Sequence, residues 1–543
     1  MATEKFKAAL NAAAFPFSYI TASRAVVNPG NDSAPRTNQA FYGSKENQDF
    51  NLMQLLYCEN VLPIARGLQT VAYSEEYAAY TLPATDFDQL ILIRDSQNNN
   101  ASFSPARGKN YVYSDLTNAW VSYSPFVWSA VLTLVTRAYV NGRTLIFYEA
   151  TKCIEWVPSI PNMVTRVLVL PVGYTVADIR GNSAASNYHL LFTEVEILWS
   201  TLTDVLDFAT VASGAGRQIP NDIRGKITSV LPIAGGFIIY TTENAVAATF
   251  TNDASRPFAY REVQNSAGVS SLEQVTGDAN AVGHYTYGSA GIQLVTLQGA
   301  TTVLPDCADF LVSRVLESWD TATKRAVQTA LNQNLQPKLQ YLGSRYLIIS
   351  YGSSSQEFSF ALVYDTVLLR WGKLQIEHVD CGALPLEALG SSYRYFTLEE
   401  AYSFYDLPYA DLEQTLGTVV GLRQNYGFLA KDGSVQLLSM VDGAATASGV
   451  AVFGPIQLVR SREITVQKVE LDGLVTVPAP IITLLGSSTG YARTSNFTMT
   501  PVVVQDNYAE YHSRFTEKNV QLAVEGNFQL TNLIVEATVH GKR

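Results

Sequence analysis

The chain is 543 residues long, 47% hydrophobic and 16% charged, which suits several units of ~150 residues each and argues against long disordered stretches. Its formal net charge of −11 argues against general binding to a phosphate backbone, which needs clustered Lys and Arg to displace counterions, though not against a channel that DNA slides through. Aromatics make up 11%, with 30 Tyr and 24 Phe, and these rings suit half-buried pleated surfaces, so the favoured class is all-β.

The first residues, MATEKFKAALNAAAFPF, mimic a signal peptide in placing Lys5 and Lys7 before an Ala-rich stretch. Glu4, Asn11 and Pro16 break that pattern, and a short helix is expected there instead. The most apolar stretch, PFVWSAVLTLVT from Pro125 to Thr136, falls short of the ~18 residues of a membrane span.

Strand, polar turn and strand then recur: YVYSDLTNAW from Tyr111, LIFYEATKCIEW from Leu145, LLFTEVEILW from Leu190, FIIYTTENAVAATF from Phe237, IQLVTLQGATTV from Ile292, YLIISYGSSSQEFSFALVYDTVLLRW from Tyr346, and FLAKDGSVQLL from Phe428. Successive starts differ by 34, 45, 47, 55, 54 and 82 residues, the spacing of four-stranded propeller blades with variable loops. A lone hairpin cannot bury its apolar face in water, whereas stacked blades bury it against one another and radial closure hides their edges. Six or seven blades are both compatible with this series. Trp120, Trp156, Trp199 and Trp371 end hairpins and read as rings packed between blades rather than as ligand platforms.

Between these hairpins, residues 306–334 carry Phe310, Leu311, Val315 and Leu316 at helical spacing behind Asp306 and predict an inserted helix pair. Residues 380–413 hold Asp380, Glu387, Glu399, Glu400, Asp406, Asp411 and Glu413 against the single Arg394, a net −6, together with a crowd of Tyr and Phe. This stretch reads as an insertion with its own character. After about Gly449 come alternating runs such as ITVQKVEL and NVQLAVEG, the texture of a small antiparallel sandwich with eight basic and eight acidic residues.

Catalytic signatures are not apparent: no HExxH, CxxC, GxSxG or phosphate-loop sequence occurs around the five histidines. Neither catalytic residues nor cofactor-binding or metal ligands are assigned, and a non-enzymatic protein is expected. Glu194 with Glu196 and Glu399 with Glu400 are acidic pairs of the kind a glycosidase uses, but read more simply as solvated surface residues. The glycine cluster SGAGRQIP from Ser213 to Pro220 lacks the lysine of a phosphate cradle and reads as loop geometry. Cys58, Cys153, Cys307 and Cys381 are far apart, which suggests a chain made in a reducing cytoplasm.

One stretch carries a more specific pattern. From Asn187 to Val246 it combines a hairpin ending in Trp199-Ser200, an Asp207-Phe208 pair, the Gly214-Ala215-Gly216 turn, Ile223-x-Gly225-Lys226-Ile227, and a Gly236-Phe237 strand with Tyr240 and Asn244. Glu59 to Pro63 with Arg66-Gly67-Leu68 near the front, and VEGNFQLTNLIVEATVHGKR at the end, agree with it more loosely. The chain thereby resembles the tail nozzle, or packaged-DNA stabilisation, proteins of short-tailed (podovirus-type) bacteriophages. That resemblance implies a structural virion protein of the tail, assembled in the host cytoplasm. It would form a homohexameric ring below the portal and its head-to-tail adaptor that extends the DNA ejection channel, with tail fibres or tailspikes docked nearby. It also implies a β-propeller with a platform built from both chain ends: residues 1–81 and 450–543 as platform, 82–379 and 414–449 as propeller, and 380–413 as a nozzle-tip or channel element not covered by the resemblance. A propeller lectin stacking sugars on Tyr and Trp, or less readily a propeller glycosidase, is the alternative.

Overall fold

A computed structural model describes residues 3–9, 55–74, 91–123, 136–304, 335–384, 425–456 and 463–540, apart from short breaks within those spans, together with a few helical residues between 307 and 331. Seven antiparallel four-stranded units follow one another. Blade 1 is Ile91–Arg94, Asn100–Ala106, Lys109–Ser114 and Ala119–Tyr123. Blade 2 runs from Thr136 to Arg166, blade 3 from Gly181 to Gln218, blade 4 from Ile227 to Glu262, and blade 5 from Val275 to Leu304. Blade 6 is Lys338–Leu342, Tyr346–Tyr351, Phe358–Asp365 and Arg370–His378. Blade 7 is Asp380–Leu384, Asn425–Leu429 and Val435–Ser439, completed on its outside by Ala72–Ser74 from near the start of the chain.

The fold is therefore a β-propeller, with seven blades among the described residues. Ala72–Ser74 ties the chain's beginning to its last blade, and the inner strand of blade 7 touches that of blade 1, so the ring closes. Closure of this kind leaves no unpaired inner edge. The seven hairpins visible in the sequence fall one to a blade. Their spacing is uneven partly because they sample different pairs: second and third strands in blade 2, third and fourth in blades 1 and 5.

Local chemistry fixes these units. In blade 2, TRAYV alternates buried and exposed positions, and Asn141-Gly142, with φ of 50° and 75°, forms the two-residue turn that returns the chain with Val140 opposite Arg143. Between blades 5 and 6 the described residues from Cys307 to Leu331 are helical, and Cys307, Leu311 and Leu331 are fully buried.

The chain ends fold together as a two-sheet platform. One sheet orders Leu55–Glu59, Gly449–Ile456, Asn519–Gly526, Ile481–Ser487 and Ser495–Met499. The other continues outward from blade 6 through Val61–Ile64 and Gly67–Thr70 to Phe528–Val539, Ile464–Val475, Tyr508–Glu517 and Pro501–Gln505, with Thr3–Ala9 also paired to Phe528–Val539. The helix expected at the N-terminus is thus a strand: seven consecutive residues, Thr3 to Ala9, pair with Asn532–Thr538, and tertiary pairing overrides the helical propensity of the Ala-rich sequence. Two boundaries also differ from the sequence reading. Ala72–Ser74 lies in the propeller, and Asp380–Leu384 is a blade strand rather than part of the acidic insertion.

Platform and propeller share one core, in which Val469, Leu522 and Val535 of the platform join Trp371 and Leu362 of blade 6 and Ile292 of blade 5. At the seam Gly372 passes so close to Val61 that a Cβ there would lie 2.5 Å from its carbonyl oxygen. Next to it Lys373 is fully buried, its ammonium 4.8 Å from the ring centroids of both Tyr57 and Phe360. Burial raises the pKa of the nearby Glu59 carboxyl, partly offset by the Tyr57 hydroxyl that donates to it and by Lys373.

Candidate functional site

Of the seven acidic residues singled out in the sequence, Asp380 lies among the described residues; Glu387, Glu399, Glu400, Asp406, Asp411 and Glu413 lie outside them. Asp380 is 3% exposed, so it is not a free channel-lining charge. It opens the inner strand of blade 7, where its Oδ1 accepts from Gln340 Nε2 at 2.6 Å and stands 2.9 Å from Lys338 Nζ, both on the inner strand of blade 6. Lys338 also approaches Glu273, in the turn leading into blade 5, at 3.6 Å. Burial works against the Lys338 ammonium, but Asp380 and Glu273 outweigh it and push its pKa up. The group is an ionic clamp across three blades, anchored one strand before residues 385–424. In sequence, residues 385–424 fall between the first and second strands of blade 7.

The pattern from Asn187 to Val246 covers blade 3 from its second strand and the first three strands of blade 4, and its residues have structural tasks. Trp199 donates from Nε1 to the Gly214 carbonyl at 3.0 Å, and its ring covers Gly216, where a Cβ would lie 2.4 Å from Cζ2. Gly214 has φ of +92° and ends a short helical turn. Asp207 Oδ1 accepts from the backbone of Ala209 and Thr210, while Phe208 is buried between blades 2 and 3. Asn244 braces blade 4, donating to the Asp222 carbonyl and accepting from Arg224 N. The Ser213–Pro220 glycine cluster is thus only partly a loop: Gly214 makes the turn, and Gly216–Gln218 pairs with Ile197–Trp199 as the outer strand of blade 3. Trp199 and Trp371 are both buried, as packing residues would be.

Three of the five histidines lie between blades. His189 donates from Nδ1 to the Val205 carbonyl at 2.8 Å and accepts at Nε2 from Asn182, which is tied to Thr136 of blade 2. His284 of blade 5 donates from Nε2 to the Pro232 carbonyl and accepts at Nδ1 from the Tyr240 hydroxyl, both on blade 4. His378 spans Ile376 and Ser350 within blade 6, its ring against Phe428 of blade 7. Burial lowers each imidazole to a pKa of about 4, so all three are neutral. Sequence reading missed these locks, because a histidine between blades carries no local signature.

The Glu194 and Glu196 pair differs from its sequence reading in one member. Glu194 is exposed and paired with Arg180 and Lys226, which hold its pKa down. Glu196 is half-buried beside Arg217 and accepts from Tyr174. The partners of Glu194 hold its carboxyl in the charged form, the opposite of what a general acid needs. The four cysteines are free and buried, and burial pushes Cys58 and Cys153 up to about 12. Among the described residues there is no cluster of three or more His, Cys, Asp or Glu placed to hold a metal, and no helix long and apolar enough to cross a membrane.

Together these features define a β-propeller locked from within. No protein-family model and no curated protein matches the chain. Among solved structures it is similar to the β-propeller domain of Cps50 (Swd1) from Myceliophteria thermophila, at 9% identity over 66% of this chain and 98% of that one, with a TM-score of 0.39. It is also similar to the RRP9 WD40 repeats, at 8% identity over 56% and 86% with a TM-score of 0.34. A third is the extracellular domain of a putative hybrid two-component system from B. thetaiotaomicron, at 8% identity over 88% and 62% with a TM-score of 0.41.

Proposed function

We propose that this chain is a structural, non-enzymatic subunit of a virus particle, forming with further copies the distal tail nozzle of a short-tailed bacteriophage. The observation that carries the reading is the joining of both chain ends into one platform that shares its core with blade 6. This is the plan implied by the nozzle-like pattern from Asn187 to Val246. A hexameric ring fits that plan, with the adaptor and tail fibres or tailspikes as neighbours.

In this reading DNA passes between copies, held without sequence-specific contacts. Acidic surface along the path weakly repels a polyanion and so prevents sticking, an effect that fades as salt rises. The segment rooted at Asp380 is the proposed tip or lumen element.

End-on electron microscopy of the assembled particle tests the proposal. A ring of this chain at one capsid vertex supports it; recovery only as a free, glycan-binding monomer contradicts it and favours a lectin.

A further inference from the structure

Among the described residues, two strands of the platform sheet have no partner on one side. From Thr3–Ala9 through Phe528–Val539, Ile464–Val475 and Tyr508–Glu517 to Pro501–Gln505, every neighbouring pair is antiparallel. Among the described residues, Thr3–Ala9 pairs only with Phe528–Val539, and Pro501–Gln505 only with Tyr508–Glu517. An open strand edge is a row of backbone donors and acceptors, which natural proteins shield with charges or cover with another chain.

Among the described residues, no strand covers the second of these edges. Ser495–Met499 closes one sheet and Pro501–Gln505 the other, so the chain crosses from sheet to sheet along one side of the platform. No charged residue occurs from Ser495 to Gln505. Phe497 is 43% exposed, Val502 60% and Val504 40%. Among the described residues, the edge is blunted by Pro501 at the strand's start and an irregular register at Pro501/Val503.

We propose that copies of this chain join head to tail through these edges, Pro501–Gln505 of one copy lying alongside Thr3–Ala9 of the next. The inference rests on the ring reading above and names its contact. Two features favour a second copy as the occupant. Four antiparallel steps make Thr3–Ala9 and Pro501–Gln505 point the same way on opposite sides of one sheet, so a rotation that repeats the subunit around an axis brings them together as a parallel pair. This is a heterologous contact of the kind that closes rings. Charge also favours it: residues 450–543 are balanced, while the remainder carries the whole −11, so like-charge repulsion between copies is least at the platform.

The test uses the full chain with cysteines introduced one per strand, at residues 4–7 and 502–505, because the four native cysteines are buried. Mild oxidation followed by denaturing electrophoresis is read beside the native mass of the same sample. At least one double-cysteine variant is expected to give a ladder of covalent multimers ending at the ring size, and each single variant to remain monomeric under denaturing conditions. A variant carrying both Val502→Lys and Val504→Lys is expected to keep its melting temperature and to assemble only at concentrations higher by about tenfold or more. Rings without a ladder in any double variant, or covalent dimers from Val502→Cys alone, overturn the edge pairing and leave the ring reading standing. A monomeric mass at every concentration overturns both.

Discussion

The blades and the platform handle polar groups differently. Between blades 2 and 3 and between blades 4 and 5, buried neutral histidines and amides are satisfied by neighbouring strands, with Asn182, His189, Tyr240 and His284 all at 3% exposure or less. On the platform, a charged ladder runs from buried Glu470 through half-buried Lys468 and Glu510 to exposed His512. Lys468 lies 2.9 Å from Glu470 and 3.0 Å from Glu510, which also accepts from His512 and from Tyr508. One arrangement fixes blades against each other, since an unmade buried hydrogen bond is costly. The other reaches the solvent at His512, where its outermost pair contributes little stability.

The largest expected effect is in the blades. Trp199→Ala removes the ring over Gly216 and Phe258 and its bond to Gly214, and is expected to cost about 3–5 kcal/mol, read from denaturant midpoints by tryptophan fluorescence. All six tryptophans lie between Trp120 and Trp371, and Trp371 sits in the core shared with the platform, so this signal reports on the propeller and its seam. Asp380→Ala leaves Lys338 buried without its nearest carboxylate and is expected to cost about 3 kcal/mol, whereas replacing both residues by Leu and Met is expected to be close to neutral. A single-mutant cost below that of the double variant contradicts the clamp.

Acid separates the two regions. His189, His284 and His378 have folded pKa values of about 4 against 6.5. The unfolded chain therefore binds more protons between these values, and stability present above pH 6.5 is lost as pH falls toward 4. Each histidine accounts for up to about 3 kcal/mol. Platform Glu510 is held down to about 2, first by His512, so its contribution is lost only as pH falls below about 4.5. Hydrogen exchange is expected to show the blades losing protection before the platform between pH 6.5 and 4.5, and His284→Gln to flatten that dependence. Simultaneous loss in both regions contradicts the separation. The smallest effect belongs to the open edge: Val502→Lys, at an exposed position, is expected to change stability by under about 0.5 kcal/mol.

Much of the architecture was legible in the sequence, because each hairpin carries its own alternation and turn residues, as in TRAYV-Asn141-Gly142. Closure was not, since Ala72–Ser74 meets Val435–Ser439 across most of the chain. The terminal strand Thr3–Ala9 escaped for the same reason, as its β structure depends on a partner more than five hundred residues away. Asp380 was recognised as notable but misjudged: its acidic neighbours in sequence suggested a solvent-facing charge, whereas Lys338 and Gln340 claim it across a blade boundary.

The native mass of the purified full chain, taken together with its end-on electron-microscope projection, tests the central claim most directly. The account predicts a closed ring with touching platforms and propellers set outside them. A lone monomer at every concentration, or a ring in which propellers touch and platforms stand apart, would contradict it.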